Sequence, residues 1–507
     1  MSTAVLPLDL ATPGGDLLVL ALIVPVTALL LAFLSGGRNA ARIALVALAV
    51  GAAVTVAIVM EMLRTGAALV YVMGNWSPPL GIVLRADGLA VAMMAMSVVV
   101  LTAVALFARA DFDTPAGHAE ARAPFVFWIM LLAVWAGLIV VFLAGDLFTL
   151  YVALELLSFA AVPLVSLDGR AETLQAALRY LLFALAGSVL YLLGGTLMYG
   201  VYGTLDIALL AAQVEPEPAV LAATALMTVG LLAKTALFPL HLWLPPAHAG
   251  APAAASALLS SLVVKGSFFI VIRLWLDTFV GVVTADAAQL LATLGACAIV
   301  FGSAVALQQA RLKLMIAYST VAQIGYLFLM FPLVLGASSL ATGSAALAGG
   351  LMQAISHATA KATMFMAAGL IYATLGHDRV ADLGGIARVL PMTIAAFALG
   401  GIALIGLPPS GGFLAKWLLL SAALDTSQWW WVVVIAIGGL LTAAYVIKVL
   451  ARAMTTVEIP TAAVTVSRGR EAVVLALAIV STLLGLLAFA PVDLVQIGRP
   501  AATMIIR

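Results

Sequence analysis

Apolar runs of about 20 residues recur along the whole chain, separated by short polar stretches. Each is long enough to cross a ~30 Å hydrocarbon core as a helix. The runs fall near 17–35, 41–63, 87–109, 124–144, 146–167, 172–201, 217–239, 252–276, 286–308, 314–336, 341–373, 390–425, 429–452 and 471–491. This pattern predicts an all-α polytopic membrane protein of 14 spans, the twelfth of them interrupted. A membrane barrel would instead show alternating segments of ~10 residues, and none is visible. The opening "MSTAVLPLDLATPGGD" lacks the basic region of a cleavable signal, so the first run is expected to be a retained span.

Composition agrees with this reading. Of 507 residues, 65% are hydrophobic and 9% charged, against roughly 25% charged in soluble domains. The net charge of +1 argues against nucleic acid as a partner. The single cysteine, Cys297, excludes a disulfide framework and a thiolate metal cluster. No GxGxxG or P-loop sits in a strand–helix context and no histidine–cysteine cluster suggests haem or iron–sulfur ligation, so neither cofactor nor metal is expected.

Charge in the connecting loops alternates. Loops after odd-numbered spans, including "ARADFDTPAGHAEARAP" and "TTVEIPTAAVTVSRGRE", hold Arg38, Arg42, Arg109, Arg122, Arg170, Arg311, Lys313, Arg379, Arg388, Arg452, Arg468 and Arg470. Loops after even-numbered spans hold only Arg64, Arg85 and Arg273, with Arg499 and Arg507 in the tail. The positive-inside rule makes the first group cytoplasmic and places both termini on the other side.

Lysine and arginine are distributed differently. Of six lysines, Lys234, Lys265, Lys361 and Lys416 lie inside apolar spans, while Lys313 and Lys448 lie nearer cytoplasmic ends, where snorkelling is easy. Arginine stays charged, whereas a desolvated lysine can release its proton near neutral pH. Glu155, near the centre of "GDLFTLYVALELLSFAAVPLVSL", is one of the few carboxylates in a span core. Ionisable groups at that depth usually face a cavity or an opposite charge. At ~4 Å and an effective dielectric near 20, its attraction for Lys234 would be about 4 kcal/mol, enough for a small helix movement to switch the amine. A static ion pair is the structural alternative. His357 and Lys361 are four residues apart on one helix face and suit a wet relay or a structural pair. His241 and His248, in the loop after the seventh span, are proton-uptake candidates or surface and packing residues.

Two spans are broken. Pro239 follows Lys234, and Pro408 and Pro409, with Gly411 and Gly412, precede Lys416. Proline removes a donor and clashes with the preceding turn, and in a bilayer such breaks need protein or water to satisfy the freed backbone. Paired discontinuous helices point to inverted repeats around a transport site. The breaks fall in spans seven and twelve, an odd separation that predicts two inverted five-span units, spans 4–8 and 9–13. The expected division is therefore 1–123 for the first three spans, 124–452 for a core of repeats 124–276 and 286–452, and 453–507 for the last span and tail.

"LYVALELLSF", "LRYLLFALAGSVLYLLG", "LLAKTALFPLHLWLPPAHAGAPAAASALLSSLVVK", "LKLMIAYSTVAQIGYL", "ISHATAKATMFMAAGLIY" and "DLGGIARVLPMTIAAFALGGIALIGLPPSGGFLAKW" occur in this order over residues 85 to 425. In these stretches the chain resembles the antiporter-like membrane subunits shared by respiratory complex I, membrane-bound hydrogenases and Mrp-type sodium/proton antiporters. The resemblance implies proton conduction along a central hydrophilic axis. Glu155, Lys234, Lys265 and Lys416 take the family's places in spans five, seven, eight and twelve, and His357 and Lys361 its polar positions in span eleven. Gln323 stands where many members carry histidine, which shifts the central relay onto water or Lys361. Lys416 stands where one complex I subunit type has glutamate, and the chain ends soon after span 14. These features leave a chain like the N subunit of complex I or the D subunit of Mrp antiporters. The wording of "GLPPSGGFLAKW" and "HLWLPPAHAGAP" leans to the latter.

The expectation is thus a proton-translocating subunit in a bacterial inner membrane, partnered by other membrane subunits and the bilayer. It would move protons, within an assembly driven by redox chemistry or a Na⁺ gradient, and perform no bond-breaking chemistry itself. A stand-alone transporter for an organic solute and a non-conducting scaffold subunit are the rivals. The first needs a substrate-sized polar pocket; the second leaves several costly buried charges unexplained.

Overall fold

The computed structural model describes residues 11–114, 121–455, 466–487 and 490–499. The first ten residues, Arg507 and parts of both polar loops quoted above lie outside the described residues. Among the described residues, thirteen helices are long and apolar enough to cross a membrane. Spans 1 to 5 are Asp16–Ser35, Gly37–Thr65, Gly88–Ala108, Arg122–Leu143 and Leu147–Val165. Spans 6 to 11 are Ala171–Tyr202, Pro218–Thr235, Ala253–Thr278, Ala285–Gln308, Leu312–Leu335 and Leu340–Leu375. Spans 13 and 14 are Trp429–Ala453 and Arg468–Leu487. Two half-helices, Pro391–Ile405 and Gly411–Asp425, make up the interrupted span 12. The chain is therefore a multi-pass helical membrane protein.

One departure from an all-α chain lies between spans 2 and 3. There β1, Leu69–Val72, pairs antiparallel with β2, Val83–Ala86. The face carrying this hairpin also carries both described ends: Thr12 N donates to Val70 O at 2.9 Å, and Arg499 Nη2 to Asp277 at 2.8 Å. The basic loops lie on the opposite face, called the loop face below. Spans 3, 5, 9 and 11 all begin on the hairpin face and are capped there by Asp87, Asp146, Thr284 and Ser339, each accepting a first-turn N–H. Such caps satisfy donors that a helix start leaves orphaned.

The inverted repeat is visible in the links between spans. Leu147 N donates to Leu205 O at 2.9 Å and Ile207 N to Gly145 O at 2.9 Å, joining the 4–5 and 6–7 links. The 9–10 and 11–12 links repeat the exchange on the other face, Leu312 N to Asp378 O at 2.7 Å and Val380 N to Ala310 O at 2.8 Å. The facing residues differ in charge, Asp146 with Asp206 on the hairpin face and Arg311 with Arg379 on the loop face. Burial pushes the Asp206 carboxyl above its ordinary range, and Asp146 adds to this. Span 8 is wholly enclosed, spans 10 and 11 are mostly so, and spans 1, 2, 13 and 14 form the rim. The enclosed spans carry Lys265 and Lys361.

Both breaks are resolved. Span 7 stops at Ala236, whose φ of +59° is left-handed. The chain then turns and restarts as a short helix, Leu244–Gly250. The first half of span 12 stops at Gly406, φ +87°, where glycine tolerates what other residues resist. Span 7 is thus shorter than its apolar run, because the segment through Pro239 is a turn.

Candidate functional site

The break in span 7 leaves Lys234 as the penultimate residue of the helix, 7% exposed. Its Nζ lies 3.3 Å from Glu155 Oε1, 2.7 Å from Ser158 Oγ and 3.4 Å from Leu154 O. Ser188 of span 6 also donates to Glu155 Oε1. Spans 6 and 7 can bring these groups together because they cross at Gly187 and Gly230, where a Cβ on Gly230 would overlap Gly187 O. Gly230→Val is therefore expected to wedge the crossing and destabilise the protein by about 1–3 kcal/mol, read as a lower melting temperature in detergent. Unchanged melting would mean that the crossing yields.

Beside Lys234 a cavity of about 10 Å³ is lined by Ser158, Ser267, Tyr180 and Trp243, which is room for about one water. Thr235 Oγ1 and Ser267 Oγ lie 2.9 Å apart, and Ser267 donates to Val264 O at 3.2 Å. The next residue is Lys265. It is fully buried, and its Nζ donates to Ser260 O. Two π-helical turns, Leu259–Val263 and Leu274–Thr278, flank it; such turns reset backbone pairing and often mark functional segments.

From Lys265 the row continues into span 10. Ser260 Oγ meets Thr320 Oγ1 at 2.9 Å, and Thr320 donates to Ile316 O at 3.0 Å. Ile316 O also accepts from Lys361 Nζ at 3.0 Å, and Ser319 accepts from the same amine. His357 lies one turn from Lys361 on span 11, buried, with neither ring nitrogen hydrogen-bonded. A further turn along the same face, Gln353 Nε2 donates to Gln323 Oε1 at 2.9 Å. Gln323 Nε2 in turn reaches Leu404 O at 3.3 Å. Leu404 O and Ile405 O, freed by the break in span 12, accept from Lys416 Nζ at 2.8 Å each. Lys416 also sits over the Tyr326 ring, 4.4 Å from its centroid.

The arrangement is a polar row from Glu155 to Lys416 that crosses from span to span and follows one face of span 11 from Lys361 to Gln353. Lys234 alone among its lysines has a carboxylate partner among the described residues. The other three are held by carbonyl and hydroxyl oxygens, which can accept from either form of the amine but bond the ammonium more strongly. Gln353, Ser260, Thr320 and Ser267 were missed by sequence reading, and Gln323 was noted only as replacing a histidine. Uncharged polar residues are common in spans, and only tertiary contact distinguishes these.

Two expectations need correction. His241 and His248 are buried, not placed in an open loop. His241 stacks on Phe238 and meets Phe301 edge-on, and His248 lies 4.7 Å from the Phe365 ring with both nitrogens unpaired. Lys313 does not snorkel either. It is buried and donates to Ala251 O at 2.6 Å, beside Arg311 on Ala249 O and Arg170 on Gly250 O. Three cations thus hold the carbonyl end of the short helix that carries His248, where helix dipole and unpaired carbonyls favour positive charge.

Comparison with known proteins agrees with this architecture. The family described as NADH:quinone oxidoreductase/Mrp antiporter, TM, matches residues 144–442. The NADH-quinone oxidoreductase N subunit of Desulforudis audaxviator is 36% identical over 445 residues, 86% of this chain and 85% of that one. The Na(+)/H(+) antiporter D subunit of Alkalihalophilus pseudofirmus is 31% identical over 376 residues, 73% of each chain. Among solved structures, a chain of the Mrp complex from Dietzia sp. superposes with a TM-score of 0.85 at 25% identity, over 95% of this chain and 96% of that one. With more than half its length matched by the family and relatives covering most of the rest, this chain belongs to the NADH:quinone oxidoreductase/Mrp antiporter transmembrane family.

Proposed function

We propose that the chain moves protons along the row from Glu155 to Lys416, as one membrane subunit of a multisubunit cation/proton antiporter or of a complex I-like redox pump. The alignment of polar groups through six spans carries this reading: hydrogen bonds join Glu155 to Lys234, span 8 to span 10 at Ser260 and Thr320, and Gln353 through Gln323 to the Leu404 carbonyl that holds Lys416, with His357 between Lys361 and Gln353. The names of the relatives, the D subunit of an antiporter and the N subunit of a quinone oxidoreductase, agree with it.

In this reading Glu155 gates Lys234 by setting how firmly the amine keeps its proton. Protons arrive from the loop face near Lys265, with His248 and His241 as uptake groups, and pass Lys361 and His357. Lys416 is the departure group. The loop face is cytoplasmic by its arginines, both ends of the chain lie on the opposite side, and the membrane is a bacterial inner membrane. The core 124–452 conducts, with partner subunits coupling it to redox chemistry or to Na⁺.

Gln323 provides a test that leaves every lysine in place. Gln323→Leu removes the bridge between Gln353 and Leu404 O. Translocation by the assembled complex in proteoliposomes, followed with a pH-sensitive dye, is expected to fall about tenfold, as loss of one buried hydrogen-bonded link predicts. Gln323→His should keep most of the rate. A Gln323→Leu complex that translocates as fast as wild type refutes the passage through Gln353 and Gln323 on which the reading stands.

A further inference from the structure

Span 14 lies beyond the segment matched by the family, which ends at 442. Its Glu471 is buried, and its Oε2 accepts from Thr393 N at 3.0 Å and Thr393 Oγ1 at 2.9 Å. Thr393 is in the first turn of the half-helix Pro391–Ile405, which has no side-chain cap of its own. The orphaned donors there are therefore met by a carboxylate from another span, the charge a helix start favours.

The same span also touches the break itself, beyond the far end of that half-helix. A Cβ on Gly485, in the turn Leu484–Leu487, would overlap Pro409 O and Ser410 O at the break. Span 14 is itself fixed to span 3, with Arg470 Nη2 2.6 Å from Asp111 Oδ2 and its guanidinium 4.5 Å from the Phe107 ring centroid. Between the two contacts lie the Leu404 and Ile405 carbonyls that hold Lys416.

We propose that span 14 is a splint for the broken span 12, with Glu471 and Gly485 as positioning residues that keep the Leu404 and Ile405 carbonyls on Lys416. This rests on the reading of Lys416 as the departure group. A half-helix interrupted in mid-membrane has lost the continuous backbone ladder that would fix its end. Without the carboxylate at one end and the close glycine contact at the other, it can slide along its axis and carry both carbonyls away from the amine. Tyr326 and Gln323 of span 10 are the other polar groups beside Lys416, and no carboxylate pairs with it among the described residues.

The test measures proton translocation against pH in the assembled complex for Glu471→Gln, Glu471→Asp, Gly485→Ala and Lys416→Ala. Glu471→Gln and Gly485→Ala are expected to translocate about tenfold more slowly, as lost charge-assisted bonds and a wedged contact predict. Their alkaline limb should move to lower pH by about one unit, because an amine deprived of its acceptors holds a proton less firmly. Glu471→Asp should recover most of the rate. Wild-type rates and pH profiles in both variants, with Lys416→Ala inactive, overturn the splint and leave the reading of Lys416 intact. An active Lys416→Ala overturns that reading instead. Should Glu471→Gln fail to assemble, Gly485→Ala and Glu471→Asp carry the measurement; a slower rate with an unmoved pH profile would make span 14 merely structural and refute the proposal.

Discussion

Glu155→Gln and Lys234→Ala are each expected to stop proton translocation while the complex still assembles. The pair sits at 3.3 Å and is the only lysine–carboxylate contact in the row among the described residues. At such a distance and an effective dielectric near 20, the attraction is about 4–5 kcal/mol, several thousandfold in proton affinity. Glu155→Gln keeps an acceptor for Ser188 and Lys234 but removes that control. Lys234→Ala removes the carrier and leaves Glu155 with Ser188 alone. Assembly should survive because the Glu155 side chain is 16% exposed at the edge of the bundle and keeps Ser188 as a partner. Native gels would report assembly and a pH-sensitive dye the transport. Normal transport in either variant would refute the gating role.

Arg273→Ala should have the opposite signature, loss of the folded protein itself. Arg273 closes span 8 on the hairpin face, where its guanidinium binds both Asp87 oxygens and lies 2.9 Å from Asp277. Arg499 reaches Asp277 at 2.8 Å. Asp87 also caps span 3 and is 1% exposed. Burial pushes its carboxyl up, but the Arg273 charge and hydrogen bonds outweigh this and hold it below the ordinary range. A carboxylate so depressed contributes stability above its unfolded pKa near 4 and loses it only as pH falls below that, so the network should be indifferent to pH between about 5 and 8. Removing the arginine strands the Asp87 carboxylate and leaves Asp277 with Arg499 alone, at a cost of about 3–5 kcal/mol. Fluorescence-detected size exclusion after heating should show early loss of the monodisperse peak, with Arg273→Lys intermediate. An Arg273→Ala protein as heat-resistant as wild type would show that the network contributes little.

Spans and breaks were legible because both follow from local rules. Apolar length sets a membrane crossing, and Pro239, Pro408 and Pro409 cannot continue a helix. Lys234 and Glu155 could be matched from sequence because charges in mid-membrane seek each other. The hydroxyl and amide links could not, since a serine or glutamine in a span looks the same whether it bonds its own backbone or another helix. The histidines misled for a related reason. "HLWLPPAHAGAP" reads as a loop from its prolines, yet it packs inward because Arg170, Arg311 and Lys313 hold its carbonyls. The hairpin was missed because four-residue strands carry too little periodicity to separate from a turn.

The row's course across the spans has an electrical consequence. A charge stepping sideways from helix to helix travels at right angles to the transmembrane field and gains or loses no work from it. In the proposed pathway the ~2.3 kcal/mol per elementary charge per 100 mV then falls on the legs that connect the row with the aqueous phases and on the two turns from Lys361 to Gln353 along span 11. Voltage should accordingly alter how fast those legs fill and empty, and leave the hops between Lys234, Lys265 and Lys361 untouched.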